Sequence, residues 1–580
     1  QTAFPGNKIP TNRFDKVGTA ILSYYPATEL TPTDGVGLQN YKDASTAEKA
    51  KYYNDPFRVD QNLGDRQRFF VRYSSYIRNS TYNEYFKNEF VGDQFYFYSK
   101  NAAFDHVYTV SPTVIVNSRY SYNRFIRGGD QPAGAVGFDL SKLGFSSQYI
   151  AQVPNDQVRF PRINLTGYIS NGHTNENRPV NNHTVATTIT KSAGAHAIRT
   201  GFEYRVYQEA DQFKSNQQTG QFTFGTTWTR GPLDNSAGSS GSVGQSVAAL
   251  LLGLPDSGSI TRQSDYIEQS GSWGMFVQDD WKVTPKLTLN LGLRYELETP
   301  LHERYNRSTL GFNTDYVQPI SAAAQAKYAA IYPTIPNGFP QLPPSAFALK
   351  GGMTFAGLDG NNGNLYNTPK NVFMPRLGIA YRLDNKTVLR TGFGMFAGFL
   401  GERRGDVLQQ GFTQNTNMVL SNAAGLPLLP FQSTMANPFP NGVAEAVGAA
   451  AGLQTYLGQG LSYFNQNPKI PITMRWEASL QREFKSFLLE ANYIGNKTNH
   501  TEITRNINTL PRQYLSTLPT RDDTYNNLLT ATFSNPLAGL VPGNSQAIYT
   551  GTTTSRQTLL SPYPAFGANA INGTRVTSVS

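Results

Sequence analysis

Apolar and polar residues alternate without a break from Leu287 to Leu297. Leu287, Leu289, Leu291, Leu293, Tyr295 and Leu297 form one set, and Thr288, Asn290, Gly292, Arg294 and Glu296 lie between them. A β-strand turns successive side chains to opposite faces, so the pattern predicts one apolar face and one polar face. The run exceeds the ~5 to 6 residues usual in globular sheets and matches the ~9 to 11 tilted residues that cross a bilayer.

The same pattern recurs in pairs joined by very short connections. Residues 271–282 and 286–298 are joined through Val283-Thr284-Pro285, where proline fixes φ and ends the ladder. NVFMPRLGIAYRL turns through Asp384-Asn385-Lys386 into TVLRTGFGMFAG, with Phe373, Leu377, Ile379, Tyr381, Leu383, Leu389, Phe393 and Met395 sharing a face. ITMRWEASLQREF turns through Lys485-Ser486 into FLLEANYIGN, where Met474, Trp476, Ala478 and Leu480 oppose Arg475, Glu477, Ser479 and Gln481. Earlier runs follow Ser111-Pro112-Thr113 and Ala193-Gly194-Ala195. A further run places Phe69, Val71, Tyr73 and Ile77 opposite Arg68, Arg72 and Ser74.

On the other side the connections are long. Residues 299–370, 399–468 and 498–580 are rich in Gly, Asn, Pro, Thr and Ala, far beyond the ~2 to 6 residues usual between neighbouring elements. Soluble sandwiches and propellers also alternate with one wet face. Short turns at one end, long loops at the other and bilayer-length strands favour an all-β, antiparallel transmembrane barrel of the outer-membrane type, with long extracellular loops.

Composition supports this reading. Only 39% of the 580 residues are hydrophobic, while 52 Gly and 34 Pro suit many turns. No apolar run approaches the ~18 to 20 residues of a membrane-spanning helix. Cysteine is absent, which excludes disulfides and thiolate metal sites. The formal charge is +10, but Arg199, Arg205, Arg294, Arg390 and Arg475 stand singly, often with Glu two residues away. That spacing gives mixed charge along a strand face rather than a phosphate-binding stripe, so nucleic acid is not an expected partner. Gln1 opens without a secretory n-region or h-region, so any signal has been removed or lies upstream.

Several blocks, in order, resemble one family. FVQDDWKVTPKLTLNLGLRYE, VAALLLGLP, NVFMPRLGIAYRL and KTVLRTGFGMF look like the barrel of TonB-dependent receptors of the Oar-like group, from Gram-negative cells. PGNKIPTNRFDKVGTAILSYYP and ITMRWEASLQREFKSFLLEANYIGNKTNH resemble the same group, so the likeness runs from about Phe4 to Asn508. The resemblance implies a 22-stranded barrel around an N-terminal plug, energised by a TonB-type protein through a TonB box. Neither plug nor TonB box is read in these residues, and RVTSVS lacks the family's aromatic-terminated last strand. With about fourteen strands counted, the chain is expected to be the middle of a larger receptor. The expected division is a lead-in over 1–54, barrel strands over 55–498 with loops at 80–93, 127–180, 299–370 and 399–468, and a long loop over 499–580.

Arg199, Glu203, Arg205, Arg294, Glu296, Arg390, Arg475 and Glu477 are expected to face the lumen, where they contact ligand or plug or else pair along the wall. Trp273, Trp281, Tyr295 and Trp476 suit aromatic girdles at the membrane interfaces. Asp279 and Asp280 are neighbours on a strand and point apart, which excludes joint acid/base work and fits a polar strand end near a turn. His173 and His183 lie in a presumed loop without placed carboxylates, short of a metal site. GSSGSVGQS lacks the Lys-Ser/Thr of a phosphate loop, and VGQSVAALLLGLP fits either a short helix ended by Gly253 and Pro255 or a strand.

The function expected is non-enzymatic, without cofactor or metal: capture of a ligand by the loops and passage through a plugged lumen, in contact with outer-membrane lipid. The alternative is a barrel that anchors surface loops for adhesion or structure. A secreted hydrolase would need convergent catalytic residues that the sequence does not show.

Overall fold

A computed structural model describes residues 4–30, 40–42, 47–171, 176–213, 215–229, 243–335, 341–398, 400, 410–420, 432–542, 544, 546–566 and 571–577. His173, Gly425 and residues 238–242 of the glycine-rich stretch lie outside them.

Twelve long strands form one antiparallel sheet in chain order. They are β1 (Lys49–Leu63), β2 (Gln67–Tyr82), β3 (Asp93–Ser111), β4 (Val114–Asp130), β5 (Glu176–Ala193) and β6 (His196–Phe213), then β7 (Tyr266–Thr284), β8 (Leu287–Glu298), β9 (Val372–Asp384), β10 (Thr387–Ala397), β11 (Ile472–Phe484) and β12 (Phe487–Asn499). The spanning count among the described residues is therefore twelve, not about fourteen; the thirteenth member of the sheet is the dipeptide His302–Glu303, paired to β7.

The pairs β1-β2, β3-β4, β5-β6, β7-β8, β9-β10 and β11-β12 close through two or three residues; the last five do so at turns read from the sequence, whereas the turn at 64–66 was not read there. Gly64 and Gly194 take φ of +64° and +60° there, the left-handed backbone that a tight connection uses. The intervening connections all lie at the opposite end of the sheet. They include 214–265, a long connection that the sequence pattern left undivided.

Register carries one apolar row around the outward face. Trp273 pairs with Tyr204 and Leu297, Val277 with Leu293, Leu293 with Pro375, Tyr295 with Phe373, Leu377 with Phe393, and Phe393 with Trp476. Met275 and Val277 are 55% and 49% exposed on this face, whereas Glu296, across the sheet, is 5% exposed. In water such a row would be unfavourable at about 25 cal/mol per Å² of apolar surface; in hydrocarbon it costs nothing.

Strands such as β3 and β7, at 19 residues each, run past the length a bilayer needs. Their loop-side ends enter a folded lobe. Helix α1 (Lys16–Leu22) is capped by Asp15, whose Oδ1 accepts from the Gly18 N–H at 2.8 Å. It packs on α2 (Val243–Leu251), which settles VGQSVAALLLGLP as a helix ended by Gly253 at φ +65°. A Cβ on Gly18 would stand 1.9 Å from the Leu250 carbonyl oxygen, so glycine permits the helix contact. Around this pair Val17, Ile21, Phe90, Phe160, Phe222 and Leu250 form one apolar core. Burial there holds the Tyr25 hydroxyl well above its usual pKa. A second core gathers Tyr328, Phe347, Phe355, Tyr549 and Phe566.

Leu293→Arg, at the centre of the outward row, should destabilise the folded protein by about 2 to 4 kcal/mol, and Asn290→Arg on the inner face by well under half of that. Urea titration of protein refolded into lipid vesicles measures both; equal costs would overturn the facing.

Candidate functional site: the inner wall and its loop-side mouth

The residues between the outward row line the other face. At its centre Gly274 of β7 stands opposite Glu203 of β6 and Glu296 of β8. The Arg294 guanidinium lies across it, 2.5 Å from where a Cβ would stand, so only glycine leaves it room. From there Arg294 reaches Glu203 at 3.5 Å and is hydrogen-bonded to Glu296, while Arg205 Nε pairs with Glu203 at 2.6 Å. Four of the expected lumen residues thus meet in one network, and they pair within the wall.

The other four are spread out. Arg199 lies nearer the turns, opposite Gln278 and Thr190. Arg390 donates to Gln481 at 2.9 Å. Arg475 and Glu477 border an inner depression of about 350 Å³ whose floor is Gly292, Gly378, Gly392 and Gly394. Arg376 stands over the Phe396 ring there at 5.0 Å. A glycine-floored hollow edged by two arginines, a carboxylate and an aromatic ring can hold a flat polar group by hydrogen bonds and cation–π contact.

Towards the loops the inner face becomes acidic, which the sequence reading missed. Glu209, Asp211, Glu268, Glu296 and Glu298 are buried along three adjacent strands. Arg178 pairs with Asp211 at 2.7 Å, and the Tyr266 hydroxyl donates to it at 3.3 Å. Glu298 accepts from the Tyr366 hydroxyl at 3.2 Å and the Leu400 N–H at 2.9 Å, which ties two long loops to the wall. Beside these groups Tyr266, Val372 and Met374 of the inner face pack with Leu301, Leu365, Phe464 and Ile470 of the loops. The signal was present as carboxylates at every second position, in Glu209 and Asp211 and in Glu296 and Glu298.

On the outward face, Trp273 packs on Tyr204 with centroids 4.0 Å apart, and Tyr295 on Phe373 at 4.8 Å. Trp476 lies across Gly495. Trp281 sits at the turn side, stacked on His196 at 5.2 Å, and the His196 Nδ1 is 2.6 Å from Asp279. Asp279 and Asp280 do point apart. Asp279 is more than a polar strand end, because it joins a Trp–His–Asp group on the outward side. Among the described residues no three His, Asp or Glu side chains are grouped to hold a metal.

A double-mutant cycle on Glu203→Gln and Arg294→Met should return a coupling of about 0.5 to 1 kcal/mol, because both groups are partly solvated. Gly274→Ala should remove most of that coupling by displacing the guanidinium. A cycle energy near zero in the parent would show that the wall network is not formed.

No curated protein matches the chain. Among solved structures it is similar to the alcaligin outer membrane receptor FauA from Bordetella pertussis, with 7% identity over 80% of this chain and 46% of that one, TM-score 0.35. It is also similar to the outer membrane transporter YddB from Escherichia coli, with 10% identity over 79% and 42%, TM-score 0.41. The siderophore receptor PirA from Acinetobacter baumannii gives 11% over 80% and 45%, TM-score 0.37. The chain spans less than half the length of each of these structures. The family model of the outer membrane beta barrel domain matches residues 1–580, and the chain therefore belongs to that family of outer-membrane β-barrels.

Proposed function

We propose that this outer-membrane barrel is the wall of a TonB-dependent receptor of the Oar-like kind, which captures a ligand with its extracellular loops and passes it through the lumen. The observation that carries the proposal is the two-ended build of the sheet. Every short turn lies at one end, and the long connections at the other fold into a lobe with cores of its own. A shaped lobe offers surfaces for selection, and the mixed-charge inner wall beneath it offers weak polar contacts along a path. Residues 4–30 contribute to the lobe through α1, so this part of the lead-in segment works with the loops.

The proposed lumen contacts are Arg475 and Glu477 at the glycine-floored hollow, Arg390 beside Gln481, and Arg199 nearer the turns. Glu203, Arg205, Arg294 and Glu296 chiefly hold the wall. Trp273, Tyr295 and Trp476 mark one membrane interface and Trp281 the other. The energy for passage would come from a TonB-type protein acting through a plug, and no covalent chemistry is involved.

A protease site inserted at Gly360, an exposed left-handed loop glycine with open space around it, should be cut on intact cells, and one at Asn385 should be protected. Gly351 is unsuitable for this purpose because it is buried against Phe312. Cutting at both sites on sealed cells would overturn the topology. Transport is tested by growth on a panel of sole nutrient sources. Strains lacking this gene and strains lacking the energy-coupling gene should fail on a shared source, whereas no shared loss would favour a surface anchor.

A further inference from the structure

At the inner hollow, register sets two rows of residues side by side. Arg376 of β9, Gly394 of β10 and Arg475 of β11 stand opposite one another in the first row. Gly378, Gly392 and Glu477 of the same strands form the second, one step nearer the turns. Two residues of strand, ~7 Å, separate the rows. The first row is cationic and the second carries a carboxylate, so the hollow of about 350 Å³ has a positive end and a negative end.

These charges stay unpaired where their counterparts pair. Elsewhere on this face Arg119 is bonded to Asp105, Arg178 to Asp211 and Arg205 to Glu203, at 2.7, 2.7 and 2.6 Å. Arg294 and Glu296 are two residues apart on one strand and are joined, as are Glu203 and Arg205; Arg475 and Glu477 have the same spacing and are not. Gly392 accounts for the difference. With no Cβ there, Glu477 turns sideways across the neighbouring strand, its Oε1 3.3 Å from where that Cβ would stand. Arg376 is drawn to the Phe396 ring, its Cζ 5.0 Å from the ring centre and its Cγ 3.7 Å from the Cβ position of Gly394. Among the described residues none of the three forms an ion pair. The glycines thus keep two guanidiniums and one carboxylate apart, and all three are exposed to the lumen.

That separation selects among small polar molecules. An inorganic anion or a monocarboxylate meets the arginines alone, and a simple amine meets Glu477 alone. A free amino acid carries both charges, but within a single residue, too close together to reach both rows. Two extended residues reach at most ~7 Å, the distance between the rows, and a third adds ~3.5 Å beyond it. A molecule one dipeptide long, with an ammonium at one end and a carboxylate at the other, meets all three charges by charge-assisted hydrogen bonds. The Asn290 amide, with Nδ2 3.2 Å from the Cβ position of Gly378, adds a hydrogen-bonding group at the edge of the second row.

We propose that the hollow binds a free dipeptide, with its carboxylate between Arg376 and Arg475 and its ammonium on Glu477, which makes short peptides the ligand class of this wall. The proposal rests on the lumen being a path for ligand. Binding is measured without transport, so the two can fail separately.

The full-length protein, purified from outer membranes in mild detergent, is titrated calorimetrically with dialanine, N-acetyl-dialanine, dialanine amide, alanine and trialanine. Dialanine should bind, and each of the others should bind about tenfold more weakly or worse, because each loses one charged contact or its spacing. Glu477→Gln should erase the preference for dialanine over its acetylated form and keep the preference over the amide. Arg376→Gln with Arg475→Gln should do the reverse. Heat-modifiable migration on gels confirms that each variant is folded. No binding of dialanine, equal binding of the acetylated form, or an unchanged preference in Glu477→Gln would each overturn the proposal. Dialanine bound as expected, with no nutrient source on which the two deletion strains fail together, would leave the site standing and overturn transport.

Discussion

Hydrocarbon offers the backbone no hydrogen-bond partner, and every feature of this wall follows from that. Each of the ten inner strands has a neighbour on both sides, so its donors and acceptors are met within the sheet. β1 (Lys49–Leu63) and β12 (Phe487–Asn499) are the edges of the strand order, each with one neighbouring strand among the described residues. In a bilayer those edges must pair with one another or with further strands, because each open donor or acceptor costs several kcal/mol. The same requirement forbids a break within a strand and confines turns and loops to the two ends.

Once the strands are fixed, side-chain size sets how they are decorated. Large groups lie across glycines on a neighbouring strand on both faces: Arg294 over Gly274 and Phe276 over Gly201 inside, Trp476 over Gly495 outside. A strand glycine sacrifices packing and gains backbone entropy cost. Here it is repaid by a ring or guanidinium lying flat against the sheet. The inner face thereby stays smooth enough to form the hollow beside Arg475 and Glu477.

The period-two pattern made the strands, their turns and the direction of each face legible, because those depend on residues adjacent in sequence or across one hairpin. Arg294 beside Glu296 was readable as mixed charge for the same reason. The lobe was not readable. Its cores join residues hundreds of positions apart, as when α1 meets α2 through Gly18 and Leu250, and no local period reports such a contact. The blocks PGNKIPTNRFDKVGTAILSYYP and VAALLLGLP, far apart in the chain, are in fact one packing unit. The His196–Asp279 contact was missed in the same way: Asp279 reads as polar in its own strand, and only the register of β6 against β7 brings the imidazole beside it.

The acidic belt at the mouth then connects lobe and wall. Glu298 holds both the Tyr366 hydroxyl and the Leu400 N–H, and Glu303 accepts from the N–H groups of Ile267, Tyr305 and Arg307. A buried carboxylate that loses its donors is strongly penalised, by several kcal/mol, so these loops cannot lift from the wall one contact at a time. The apolar cluster around Tyr266, Met374 and Phe464 adds to the same constraint, since lifting would expose it to water. The segments carrying Tyr366 and Leu400 are thus held to the wall through one shared carboxylate, Glu298.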